Sequence, residues 1–204
     1  MIRSTVQIVL LLSLFISIGF SNTAVFASSP DPLEQLRPHV ENIISILKDD
    51  KEPDKIDRIM VVVQQRFDFK EMAKRVLGKN WRKLSSTERE EFVGLFTELL
   101  KYAYVSQVTT YSDQQVAFGK QRIKGKRAQV ETMVIDGPRE IQVSYIMLLR
   151  SDQWKVYDIV VEGVSLIRNY LEQFRGILKS SNYSELTRLI KQKTAEYANK
   201  GATG

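Results

Sequence analysis

The spacing of apolar positions changes period twice along the chain, and those changes divide it into three stretches. Leu33, Leu36, Val40, Ile43, Ile44 and Leu47 recur at helical intervals and predict one amphipathic helix. Pro38 falls inside that stretch, so the helix either starts there or is kinked there. Lys48 to Asp57 reads as a charged connection holding Pro53, and Ile56, Met60 and Val63 then mark a second, short helix. Asp68 and Glu71 stand at capping-box spacing and open a helix through Met72, Val76 and Leu77, which Gly78 stops. Ser85 and Glu88 repeat the box and open the longest helix, whose apolar face carries Phe92, Leu95, Phe96, Leu99, Leu100 and Ala103.

From Gln115 to Val161 the period is two. Lys124-Gly125-Lys126 is a tight turn, after which Ala128, Val130, Thr132 and Val134 alternate. Asp136-Gly137-Pro138 turns again into Ile141, Val143, Tyr145, Met147 and Leu149, and Ser151-Asp152-Gln153 turns into Trp154, Val156 and Ile159. Short turns between consecutive strands predict an antiparallel meander. Helical spacing then returns. Ser165 caps a helix with Leu166, Tyr170, Phe174 and Ile177 on one face, and Asn182 with Glu185 opens another through Leu186, Leu189 and Ile190. Helices, meander, helices is an α+β order, read as a curved antiparallel sheet wrapped by helices.

The first residues do not belong to that pattern. Arg3 precedes an apolar run from Val6 to Phe20, and Val25 and Ala27 occupy the −3 and −1 positions of a cleavage site. This is the layout of a secretory signal peptide over residues 1–27. A membrane anchor is the competing reading, but a spanning helix needs about 20 apolar residues. The remainder, 28–204, is expected to form a single domain: helical over about 31–110, sheet over about 113–162, and C-terminal helices over about 165–198. There is no cysteine, which excludes a lipoprotein anchor, disulfides and thiol chemistry, and His39 is the sole histidine. The net charge of +6 suits anionic lipid surfaces or acidic proteins, with an ordinary solvated surface as the bland account. Nucleic acid is not an expected partner of an exported chain.

Catalytic groups do not assemble in the sequence. No phosphate-binding glycine loop or metal-ligand spacing is present. Asp158 and Tyr157 could serve an exported enzyme only if they face a small pocket. Such an aspartate more often satisfies a nearby backbone or serine donor. One feature of the sheet points elsewhere. Ile146 and Leu148 add apolar residues to the second face of their strand, as Tyr157, Ile159 and Val161 do opposite Val156 and Val160. A sheet apolar on both faces is covered on both, or one face lines something. The residues alone leave three readings open: a container with an apolar interior, an enzyme, or an adaptor domain with a filled interior.

Several ordered motifs resemble one family. Phe67-Asp68-Phe69, Met72-Ala73, Val76-Leu77-Gly78 and Asn80-Trp81-Arg82 are similar to the front signature of the toluene-tolerance auxiliary transport family, the periplasmic phospholipid-binding component of the Mla pathway. The similarity continues through Leu84 to Arg89, Phe92 to Phe96, Leu99-Leu100 with Tyr104, Arg127 to Val130, Tyr145 and Trp154 to Asp158. Its most distinctive block is Val161-Glu162-Gly163-Val164-Ser165-Leu166, followed by Asn169-Tyr170 and Gln173-Phe174. Pro38 and the polar tail after Ala195 depart from the pattern.

The resemblance implies an NTF2-like α+β cone with an added helical subdomain. It implies a non-enzymatic, monomeric periplasmic carrier with phospholipid as cargo and no cofactor or metal. The implied partners are an inner-membrane ABC transporter with an MCE subunit and an outer-membrane lipoprotein–porin complex. On that footing the expected acyl-chain walls are Met72, Val76, Leu77, Trp81, Phe92, Phe96, Leu99 and Tyr104 from helices, and Val143, Tyr145, Met147, Trp154 and Val156 from the sheet, with Val161, Val164, Leu166, Tyr170 and Phe174 completing the set.

Overall fold

Local capping chemistry decides where the helices begin. In this computed structural model, which describes residues 30–49, 54–109 and 114–202, helix α1 (Pro32–Lys48) starts after Asp31, whose carboxylate accepts from the Glu34 N–H at 3.0 Å. Pro32 takes the first helical position, where a missing N–H costs nothing. Pro38 is therefore internal to α1 and is not its start. The segment read as a signal peptide lies outside the described residues.

Helix α2 (Lys55–Arg66) folds back along α1: Lys55 Nζ reaches the Leu47 carbonyl at one end and Arg66 reaches Gln35 and His39 at the other. Between them Ile46, Ile59 and Val62 form a small core of their own. Phe67 bridges to Val156 of the sheet and leads into α3 (Phe69–Leu77). Asp68 caps α3 by accepting from the Glu71 N–H at 2.8 Å. Glu71 does not close the box; its carboxylate is drawn instead to Arg75 at 2.8 Å and Arg150 at 3.2 Å. Gly78, at φ +54°, ends the helix in a conformation that side chains resist. After a 3-10 turn, Ser85 and Glu88 exchange both bonds of a full box at the head of α4 (Ser86–Thr109).

Five antiparallel strands follow in sequence order: β1 (Gln115–Lys124), β2 (Arg127–Asp136), β3 (Arg139–Arg150), β4 (Gln153–Val161) and the short β5 (Val164–Ser165). The fold class is thus α+β, as the periodicity indicates. Helices α5 (Leu166–Ser180) and α6 (Tyr183–Ala202) close the chain.

The sheet register has one consequence that strict alternation misses. Met147 pairs with Val156 but Ile146 pairs with Asp158, so Tyr157 is an extra residue in β4. This bulge turns Ile159 onto the same face as Val156, where a period-two count places them on opposite faces. A second irregularity lies between Phe118 and Gln121 in β1. Bulges bend strands, and these two bend the sheet.

Each face then packs a different partner. Ala128, Val130, Met147, Trp154 and Val156 pack with Leu36 and Val40 of α1. Ile146, Leu148 and Tyr157 lie against the larger core built by α3, α4, α5 and α6. Phe92 and Phe96 stack in that core at 6.1 Å, and Phe174 meets both edge-on at 6.0 Å, which locks α5 to α4.

Candidate functional site

Beneath the α1–α2 hairpin the packing stops short. A cavity of about 480 Å³ lies between the hairpin, the start of α3, the end of α4 and the inner face of the sheet. Helix α1 contributes Leu36, Val40, Ile43, Ile44 and Leu47; α2 contributes Ile56, Ile59, Met60, Val62 and Val63. Phe67, Phe69 and Met72 close one side, Leu100, Tyr104 and Leu166 another. Val116, Val134, Tyr145 and Ile159 form the floor. These floor residues follow from the register, since Val116 pairs with Val134 and Tyr145 with Ile159. Without the Tyr157 bulge, Ile159 would face the other core.

Almost every lining group is hydrocarbon, thioether or aromatic ring; His39, Arg66 and Lys101 are the ionisable exceptions beside two tyrosines. Tyr145 keeps some accessible surface although it sits deep in the fold, because that surface borders the hollow. Burial raises its phenol pKa, opposed by a hydrogen bond with Thr132.

Lys101 is neutralised by Asp57 at 2.8 Å, a link from α4 to α2, and that bond raises its pKa. Arg66 binds neutral acceptors: the Trp154 carbonyl at 2.8 Å, Gln35 Oε1 at 3.2 Å and His39 Nε2 at 3.3 Å. Because Nε2 accepts from Arg66, His39 carries its proton on Nδ1 and donates it to the Gln35 carbonyl at 3.1 Å. The imidazole is therefore neutral, and burial followed by the Arg66 charge lowers its pKa.

The eighteen wall residues expected from the sequence fall into several places. Met72, Tyr104, Tyr145 and Leu166 border the hollow. Val76, Leu77, Trp81, Phe92 and Phe96 are packed in the helical core. Leu99, Tyr170 and Phe174 also belong to or touch that core, and with Tyr104 they border a second, more polar pocket of about 490 Å³ among α4, α5 and α6. Met147, Trp154 and Val156 fill the space beneath the first turns of α1. Val143 is half-buried, paired to Thr132 and Val161. Val161 and Val164 are exposed on the β4–β5 turn, at 42% and 63%. Most of the hollow's wall comes from α1 and α2, whose apolar stripes are visible in the sequence but lie outside the motifs that carry the family resemblance.

Asp158 has a structural task. Its carboxylate accepts from Ser165 Oγ at 2.6 Å and from the Ile167 N–H at 3.0 Å, while Ser165 Oγ accepts from the Arg168 N–H at 3.0 Å. The pair thereby caps α5. Among the described residues no cluster of three potential metal ligands occurs, and no helix is long and apolar enough to cross a membrane.

Fold and site together define an α+β protein whose bent antiparallel sheet and helices border a hydrocarbon-walled hollow. Residues 38–192 match the family model of the MlaC protein. The chain belongs to that family. It is similar to the intermembrane phospholipid transport system binding protein MlaC of Haemophilus influenzae, 27% identical over 128 residues that cover 60% of each chain. The aligned stretch thus spans about three fifths of that relative's length. A solved structure of a phospholipid-binding protein from Ralstonia solanacearum, in complex with a phospholipid, shares the fold with a TM-score of 0.74. It is 22% identical, and the match covers 82% of this chain and 99% of that one.

Proposed function

We propose that this chain is a non-enzymatic phospholipid carrier that holds acyl-chain carbon in the hollow beneath α1 and α2. The carrying observation is the hollow itself, about 480 Å³ with an almost wholly apolar lining, in a member of the MlaC family. A cavity of about 150 Å³ admits one benzene, which is about 25 Å³ per carbon. On that scale the hollow takes on the order of 19 carbons, one long acyl chain. The phospholipid in the Ralstonia solanacearum relative supports the same ligand class.

Physical chemistry explains why such a carrier is useful. Each methylene exposed to water costs about 0.8 kcal/mol, so a chain of about 15 costs about 12 kcal/mol to release unaided. Transfer through water therefore needs a dry container, and handover needs docking and parting of the walls. The carrier works in the periplasm after removal of residues 1–27. It passes lipid between an inner-membrane ABC transporter with an MCE subunit and an outer-membrane lipoprotein–porin complex. Phospholipid is its cargo, and the reading includes no cofactor. Asp158 supports a non-catalytic reading because its carboxylate is committed to Ser165 and the Ile167 N–H.

The test is transfer of a labelled phospholipid between donor and acceptor vesicles separated by a membrane that passes protein but not vesicles. The carrier reading expects transfer in proportion to protein added. Transfer no faster than buffer alone would reject it.

A further inference from the structure

The hairpin joining β1 to β2 carries a charge pattern found nowhere in the hollow. Residues 120–127 read Lys-Gln-Arg-Ile-Lys-Gly-Lys-Arg: five bases and no acid in eight residues, against +6 for the whole chain. All eight are exposed, and Ile123 is 47% exposed among the bases. None of these five bases has an ion-pair partner among the described residues. Elsewhere some basic side chains are paired, as Arg175 is with Glu172 and Arg188 with Glu185.

Protection of an edge strand accounts for part of this. β1 is the sheet's outer strand, and lysines there discourage pairing with another chain. That reason does not reach Lys126 in the turn or Arg127 in β2, a strand already paired on both sides. The register sets Arg122 and Lys124 on one face with Gln129 and Arg127, while Ile123 shares the opposite face with Ala128. Arg122, Lys124 and Arg127 thus share one face, Lys126 sits at the turn, and Ile123 points to the other side. A face of one sign, with no acid among residues 120–127 to match a mixed-charge partner, suits a diffuse anionic surface of lipid head groups.

We propose that the β1–β2 hairpin is an electrostatic tether that docks this protein on anionic phospholipid membranes. The tip lies eight residues along β1 from Val116, which lines the hollow, or about 25 Å at strand rise. Docking through the tip therefore leaves the hollow's walls uncovered. The tether goes beyond the carrier reading and does not require it.

The experiment is flotation of the full mature chain with vesicles of equal parts phosphatidylglycerol and phosphatidylcholine, against phosphatidylcholine alone. Binding is expected to the anionic vesicles only, and to be lost on raising salt. The variant K120Q/R122Q/K124Q/K126Q/R127Q, with an unchanged circular dichroism spectrum, is expected to bind at least about 25-fold more weakly, the loss of two surface contacts at about fivefold per base. A second variant removes five exposed bases elsewhere (Lys79, Arg82, Lys83, Arg168 and Lys179 to Gln) and tests net charge. Equal weakening in both variants, equal binding to both vesicle types, or full binding by the hairpin variant overturns the tether. Salt-sensitive docking without vesicle-to-vesicle transfer would reject the carrier reading and leave the tether standing.

Discussion

Placing a carboxylate on the floor of the hollow separates a lipid-lined wall from ordinary core. Val134 faces the hollow between Val116 and Ile141, whereas Met133, one residue earlier, points to the other face of the same strand. Both side chains are half-buried, so Val134→Asp and Met133→Asp make the same chemical change at comparable exposure. With the hollow wet, the carboxylate introduced by Val134→Asp keeps its hydration and the protein folds. With an acyl chain lying on it, that carboxylate is stripped of water, at an effective cost of several kcal/mol. Taking about 3 kcal/mol, affinity falls about 100-fold, since each 1.4 kcal/mol is tenfold. Displacement of a fluorescent fatty-acyl probe measures it, alongside a thermal melt of each variant. Affinity of Val134→Asp should recover as pH falls through about 4, where an ordinary aspartate becomes neutral. Equal affinity in folded Val134→Asp and Met133→Asp would refute the assignment of this face to lipid.

Three further outcomes follow from the geometry. His39 is held neutral with a lowered pKa, so the unfolded chain binds its proton at a higher pH than the folded one. Stability is complete above about 6.5 and falls as pH drops below it; in His39→Gln this slope between pH 7 and 5 should flatten, as followed by melting temperature. Asp57→Asn removes the partly exposed bond to Lys101; stability should change by less than about 1 kcal/mol, while amide exchange in α2 rises because its link to α4 is gone. Ser165→Ala should cost about 1 kcal/mol through the lost α5 cap, and Asp158→Asn should weaken the same cap while leaving lipid content unchanged; an Asp158→Asn protein that folds but holds no lipid would contradict a purely structural aspartate.

Much of the fold was legible because its signals are local. Ser85 with Glu88, Asp68, Ser165 and Asn182 all sit at the helix starts their spacing implies, since a cap involves residues three apart. Gly125 and Gly137 fall in turns whose positive φ favours glycine. The hollow was less legible, for a physical reason. An apolar stripe has the same pattern whether it meets another side chain or empty space: Val40 and Ile44 of α1 border the hollow, while Phe92 and Phe96 of α4 are wholly packed. Nor does alternation reveal a bulge. Tyr157 shifts Ile159 onto the hollow's floor through a pairing with β3 that β4 alone does not encode. Glu71 likewise leaves its box because its carboxylate is shared between Arg75, one turn on, and Arg150, far along the chain, and only the first of these is visible in local spacing.

The most direct trial of the whole account is the mass of the intact protein sprayed from a detergent-free preparation under conditions that preserve noncovalent complexes. Protein plus one phospholipid, with the lipid confirmed in an organic extract of the same sample, is the outcome this structure predicts. A folded protein that shows its bare polypeptide mass, both as purified and after incubation with phospholipid vesicles, would contradict it.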